Sequence, residues 1–290
     1  MVKVETPLRI TLGGGGTDLP EFYEQHGGFV CSMAIDLKIR VEPDSTGPIW
    51  ATPEQLACNV IARGTRIESD VSVGSGLGGS GATVVSMLRL KFPHESPRNI
   101  ATAAYNIERY VLNRHTGWQD HFIAACGGAK LFQCDKNGFV DVHELPIPAG
   151  FLDRLALFHT GITRQADCVL SKQAETAKTD PKYLKIVKDI GISIADDLRR
   201  KGDLFGLLTH RHWLAKKESC NAISTPQIDD WYEIAQKNGA IGGKCCGAGA
   251  GGYMLFVCNP NNREKLVCAM EESGLKHTKF AICEHGSRVL

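Results

Sequence analysis

The chain carries almost no excess charge of either sign: 33 Lys and Arg stand against 32 Asp and Glu, a formal net charge of +1 over 290 residues. That balance argues against a broad electrostatic footprint for nucleic acid or an acidic membrane. No C-x-x-C pair occurs among the 11 cysteines, which run from Cys31 to Cys283 and include the adjacent Cys245 and Cys246. An odd number without ligand spacing argues against a disulfide framework or a structural zinc site, and reads as small buried hydrophobes in a reducing compartment. The N-terminus lacks the order of a signal peptide, because Lys3 and Glu5 interrupt it. No run approaches the roughly 18 apolar residues of a membrane span, and no internal repeat is present. The expectation is a cytoplasmic protein, monomer or homodimer, with neither a nucleic-acid nor a membrane partner. At 43% hydrophobic and 22% charged residues it can bury a large core, in one domain or in two that share a cleft.

What the sequence has in surplus is glycine. It contains 31, where usage of roughly 7% would give about 20. Sixteen fall in three windows, Gly13 to Gly16, Gly74 to Gly81 and Gly239 to Gly252. Clustering of this kind points to three built backbone sites rather than a flexible chain.

Patterning around the windows mixes strands and helices without regular β-α alternation, which favours an α+β fold. Residues 2–12 alternate strictly and predict a strand covered on one face, with Lys3, Glu5 and Arg9 on the other. Strands are also expected at 28–41, 66–73, in the segment DRLALFHTG, at 253–257 and at KFAIC (279–283). Helices are expected after Pro20, after Gly81, from Ser96-Pro97 to about His115, in HFIAACGG, through 165–238 and from Arg263 to Ser273. The Pro and Gly cluster at 146–150 marks the expected boundary between domains 1–148 and 149–290.

The middle window, Gly74-Ser75-Gly76-Leu77-Gly78-Gly79-Ser80-Gly81, lies between a strand and a helix. That order aims several backbone N–H groups and a positive helix end at one spot, a cradle for phosphate. Ser80 could cap the helix or present its hydroxyl to a phosphate-bound Mg²⁺. A G-x-G-x-x-G match at Gly74, Gly76 and Gly79 raises a dinucleotide fold. The preceding strand, however, alternates with polar residues, and no second strand ends in an acid about 20 residues on. No Lys-Ser/Thr follows, so the Walker pattern fails as well.

Four side chains stand out beside the windows. Glu108 lies among Ala101, Ala104, Val111 and Leu112 on a helix face too apolar for a lone carboxylate. It needs a cation, either an arginine or a metal. Asp120 reads as a helix cap by its position. Asp18, in the first glycine loop, reads as a turn residue or as a carboxylate for a polyol, with Arg9 just upstream. His115 and His121 read as ordinary histidines.

Taken together, PLRITLGGGGTDLPEFY, GSGLGGSGA and GGKCCGAGAGGYMLF resemble the three ordered motifs of the GHMP small-molecule kinases. AAYNIERYVLN, GWQDHFIAACGG and LALFHTGITRQA resemble the sugar-phosphate branch that includes the heptose 7-phosphate kinases. The likeness spans about residues 3–257. It implies a ribosomal protein S5 domain 2-like ATP-binding N-terminal domain and a ferredoxin-like C-terminal domain. It further implies phosphorylation of the anomeric hydroxyl of D-glycero-D-manno-heptose 7-phosphate to the 1,7-bisphosphate, with ATP and Mg²⁺ as cofactors. In that template Gly74 to Gly81 wrap the phosphates, Ser80 and Glu108 meet Mg²⁺, Asp120 is the base and Arg9 assists it. Gly15, Gly16, Thr17, Asp18, Arg164, Gly247, Gly249 and Gly251 then face the substrate. Two departures are the glycines at 79 and 81, where many relatives have serine, and a short segment between Val41 and Ile67. Rival readings are a fucose- or galactose-type kinase and a non-catalytic sugar or nucleotide sensor on the same fold. A nicotinamide-dependent oxidoreductase is a more distant one.

Overall fold

The computed structural model describes residues 2–43, 65–163 and 166–290, with the side chains of 166–168 left aside. Two antiparallel sheets organise it. The first contains β1 (Val4–Gly13), β2 (Gly28–Pro43), β3 (Thr65–Ser69), β4 (Ala129–Cys134), β5 (Val140–Glu144) and β10 (Arg288–Val289). Its order is β10-β1-β2-β4-β5, with β3 also on β2. The second has the order β7-β8-β6-β9, built from β6 (Leu155–His159), β7 (Ala240–Cys245), β8 (Tyr253–Cys258) and β9 (Lys276–Thr278). Nine helices among the described residues fill the gaps: α1 (Pro20–His26), α2 (Gly79–Lys91), α3 (Pro97–Asn106), α4 (Gln119–Cys126), α5 (Ala166–Thr179), α6 (Lys182–Leu198), α7 (Phe205–Ser219), α8 (Pro226–Lys237) and α9 (Arg263–Glu272).

β1 is buried along its whole length, including Glu5, Thr6, Arg9 and Thr11. The one-sided strand expected from its alternation is therefore wrong. Helices α2 and α4 pack on β1 and β2, as does α6, and the polar side chains find partners inside the protein. Pro7 has no N–H to give the ladder, and the register between β1 and β2 shifts just after it. Two residues of β2, Asp36 and Leu37, are thereby left over. Asp36 uses the slack to bond Ala281 in both directions.

Period-two alternation on the inner strands of the second sheet feeds two cores. Leu155, Leu157, Leu255 and Val257 join a cluster that also holds Leu8, Ile10, Val85, Ile194 and Phe205. Ala156, Phe158, Met254 and Phe256 face a second cluster with Trp213, Trp231, Leu266 and Met270. The first cluster thus draws residues from both sheets. The last residues also return to the first sheet, where Arg288–Val289 pairs with β1.

Other expectations need correction. KFAIC forms no strand; among its residues only Ile282 makes a bridge, to Ile35. The helix from Pro97 ends as α-helix at Asn106 and continues as a π-turn over Ile107–Val111. Strands β4, β5 and β7 have no counterpart among the expected elements. The 44–64 part of the short segment lies outside the described residues.

One contact sets how closely α6 approaches the first glycine loop. A Cβ on Gly191 would lie 2.7 Å from the Gly14 nitrogen, and one on Gly13 would lie 2.9 Å from the Gly191 Cα. Helix propensity alone says that Gly191→Ala stabilises α6 by up to about 1 kcal/mol. Backbone overlap reverses the sign: we expect a loss of about 1–3 kcal/mol in urea unfolding. A stabilised variant would show that the two backbones are not in contact.

Candidate active site

The phosphate loop runs from β3 into α2. Gly74, Gly76 and Gly78 all have positive φ, a conformation that favours glycine. Gly78 is the N-cap of α2, no side chain caps that end, and the first turn holds no acidic residue. The leading N–H groups and the positive helix end therefore stay available to an anion. Ser80 does not cap; its hydroxyl bonds Glu108 instead. The loop is held from three directions. Leu77 is fully buried, the Arg9 N–H donates to the Leu77 carbonyl at 3.0 Å, and the Tyr253 N–H donates to the Ser75 carbonyl at 3.0 Å.

Arg9 is almost wholly buried. Its Nε and Nη2 each donate to Asp120 Oδ1 at 2.7 Å, while Nη1 donates to the Gly76 carbonyl at 2.5 Å. Asp120 is the accessible member of the pair, with 23% side-chain exposure against 5% for Arg9. It sits in the first turn of α4 without capping it. The two departures at 79 and 81 separate here. A Cβ on Gly81 would approach Asp120 Cβ to 3.0 Å, whereas one on Gly79 would meet nothing within 4 Å among the described residues. Gly81 thus lets α2 sit tightly against the acid; Gly79 is open to a side chain.

Asp18 lies at the N-terminal end of α4, beside Gly117 and Gln119. Its Oδ1 accepts the Gly16 N–H at 2.9 Å and its Oδ2 the Gln119 N–H at 3.4 Å. Burial, with the Asp120 charge, pushes its carboxyl above the ordinary range. Thr17 has its hydroxyl committed to the loop's own backbone. Its hydroxyl is buried, lies 2.8 Å from the Gly14 and Phe29 carbonyls and accepts the Phe29 N–H. That residue holds the loop's shape.

Glu108 is 2% exposed inside the π-turn. His121 Nε2 lies 2.7 Å from its Oε2, and Ser80 bonds its Oε1. Arg114 Nη1 stands 2.9 Å from the Ser80 hydroxyl and 3.4 Å from Glu108. Burial alone would push this carboxyl up, but His121, Ser80 and Arg114 outweigh it and hold the group below its ordinary value. The cation demanded by the apolar helix face is therefore present as Arg114, with His121 as a further hydrogen-bond partner. A hydroxyl and a carboxylate oxygen also form a hard donor pair suited to a divalent ion that keeps most of its ligands from phosphate. No group of three His, Cys, Asp or Glu fit for a metal occurs among the described residues.

The third window splits. Gly247 packs on the Gly76 backbone, so that a Cβ there would lie 2.7 Å from the Gly76 carbonyl. Gly249 packs on Ile223 and Gly251 on Ile162, which makes both scaffold for the loop. Arg164 lies outside the described residues.

Sequence reasoning missed a buried basic group behind these loops. Lys244 Nζ donates to the Leu12 carbonyl at 2.9 Å, and Lys216 Nζ to the Gly247 carbonyl at 2.7 Å. His212 Nε2 accepts the Gly14 N–H at 3.1 Å. Burial and nearby Lys216 push the Lys244 amine down to about 7. Burial likewise keeps His212 neutral, its value well below the ordinary one. A signal existed for one pair: His212 and Lys216 are four apart on α7 and share its face. Nothing local pointed to His121, whose partner is 13 residues away across a turn.

Two family models match the chain, GHMP kinases N terminal domain over residues 52–128 and GHMP kinases C terminal over 194–276. A D-glycero-alpha-D-manno-heptose 7-phosphate kinase from Campylobacter jejuni is 29% identical, covering 98% of this chain and 97% of its own. A mevalonate kinase from Pyrococcus horikoshii is 27% identical over 72% of this chain and 63% of its own. Among solved structures, a D-glycero-D-manno-heptose 1-phosphate kinase from Bacteriodes thetaiotaomicron superposes with a TM-score of 0.79 at 22% identity, covering 100% of this chain and 99% of the other. Phosphomevalonate kinase from Streptococcus pneumoniae also reaches 0.79, at 13% identity, over 97% of this chain and all of the other. These superpositions bear on the fold: mixed α and β, with two antiparallel sheets.

The lysine makes a pH prediction. Lys244 titrates near 7 when folded, against an ordinary value of 10.5. Between those values the unfolded chain binds the extra proton, so this group makes stability rise with pH across that window and leaves it flat below. Lys244→Met removes the component. In urea titrations the wild type should gain on the variant from about pH 7 to about pH 10. A constant difference would contradict the depressed value.

Proposed function

The chain belongs to the GHMP kinases, and from that premise we propose that it phosphorylates the anomeric hydroxyl of a heptose 7-phosphate, with ATP as donor. The observation that carries the chemistry is the Arg9–Asp120 pair, locked at 2.7 Å beside the phosphate loop, with the carboxylate as its accessible end. A phosphoryl transfer needs positioning and charge stabilisation more than covalent help. The acceptor oxygen attacks the γ-phosphorus as the bond to the β–γ bridging oxygen breaks, and ADP leaves. Asp120 takes the hydroxyl proton. Arg9 fixes the orientation of that carboxylate and offsets the charge that accumulates nearby.

The N-terminal end of α2 and the N–H groups of Gly74 to Gly81 receive the nucleotide phosphates. Mg²⁺, when bound, screens phosphate charge, and Ser80 and Glu108 are the residues that would hold it. Gly15, Gly16 and Asp18 flank the sugar, and Gly247 closes against the phosphate loop. The heptose 7-phosphate assignment draws on the Campylobacter jejuni relative, whose likeness extends over nearly both chains. Reaction in the cytoplasm, where ATP is supplied, accords with the lack of any helix long and apolar enough to cross a membrane among the described residues.

The test is a panel of sugars and sugar phosphates with ATP and Mg²⁺, read as ADP release. Turnover is expected on heptose 7-phosphate. Turnover of free fucose or galactose alone would sink the substrate assignment, and nucleotide binding without any turnover would favour a sensor. Asp120→Asn should lower kcat by about 10²–10⁴-fold while ATP still binds; full activity would remove the proposed base.

A further inference from the structure

We infer that Gln173 is a substrate-recognition residue that hydrogen-bonds a hydroxyl of the sugar; the inference rests on reading residues 13–18 as the sugar loop. Gln173 lies on α5 and is 1% exposed. Neither its Nε2 nor its Oε1 has a hydrogen-bond partner among the described residues. A buried amide with both ends unused is costly, and natural proteins seldom leave one without a ligand or water to meet it.

Its position says what that ligand is. A Cβ on Gly16 would lie 2.6 Å from Gln173 Nε2 and 3.2 Å from its Cδ. The amide is therefore seated against Gly16, in the gap that the absent side chain leaves. The N–H of the same Gly16 donates to Asp18 Oδ1, so Gln173 and Asp18 bracket one peptide of the loop. On α7, His212 accepts the Gly14 N–H through Nε2, which leaves its proton on Nδ1, and that atom too has no partner among the described residues. Helix α5 thus brings an unspent polar group to the loop, whereas His212 Nε2 and Thr17 have spent theirs on its backbone.

The chemistry of the amide selects among ligands. It offers a donor and an acceptor side by side, which a sugar hydroxyl can satisfy because it both gives and takes a proton. A phosphate oxygen would engage the NH₂ and leave Oε1 orphaned and facing negative charge. Packing alone would favour an apolar side chain of the same length beside Leu184, so keeping glutamine there sacrifices stability for recognition.

Gln173→Met tests this, because methionine keeps the length and drops the hydrogen bonds. KM for the sugar phosphate should rise about tenfold, with KM for ATP within about twofold, and the ligand-free thermal midpoint should hold or increase. Calorimetric titration of the sugar phosphate without ATP should show the same loss. An unchanged sugar KM, or a lower midpoint with an unchanged sugar KM, would make the amide structural and overturn the inference. Should the variant not fold, a set of deoxy sugar phosphates is compared on the wild type and on Gln173→Leu: one missing hydroxyl should cost about tenfold on the wild type, and this penalty should vanish in Gln173→Leu, which can neither donate to that hydroxyl nor accept from it. A penalty of equal size in Gln173→Leu overturns the inference. Absence of wild-type turnover or binding on every sugar tried would instead bring down the sugar-loop reading itself, and the inference with it.

Discussion

The guanidinium of Arg9 ties three parts of the molecule to one another. It holds Asp120 through two N–H groups and the Gly76 carbonyl through a third, and the backbone N–H of the same residue holds Leu77. Strand β1, the phosphate loop and helix α4 are thereby fixed within hydrogen-bond tolerance. A buried cation of this kind is expensive to desolvate and more expensive to leave unpaired. The arrangement is consequently an all-or-none one: remove either partner and the other stands uncompensated beside the loop.

Packing explains why such an arrangement is reached at all. β1 is buried on both faces, and the first core draws on both sheets, so its end cannot drift relative to α6 or the second sheet. The glycines act at particular contacts rather than as general flexibility. Gly191 admits the first loop against α6, Gly81 admits Asp120 against α2, and Gly247 seats the third window on the second. On the opposite flank, Glu108 is kept ionised by His121 and Arg114, a placement that a π-turn rather than a regular helix provides.

How much of this is legible in the sequence depends on whether the signal is local. The first strand, the phosphate loop and the helix after it are readable because alternation and glycine spacing are properties of short windows. Glu108 shows its need for a cation through the alanines around it. By contrast β7 lies hidden inside a glycine window, and β4 reads AKLFQC, a strand too buried to alternate. Buried polar side chains on β1 make a two-sided strand look one-sided. His121, Lys244, Lys216 and Gln173 owe their roles to neighbours 13 to more than 200 residues away, which no window reports.

The central claim is that Arg9 and Asp120 act as one unit, and a double-mutant cycle on kcat/KM measures it most directly. Arg9→Gln, Asp120→Asn and the double variant are compared under saturating Mg²⁺ and ATP. If the pair is a unit, the double variant is no slower than the worse single one, a coupling of at least about 1.5 kcal/mol. If the two losses simply add, the residues work independently, and the guanidinium is not what organises the proposed base.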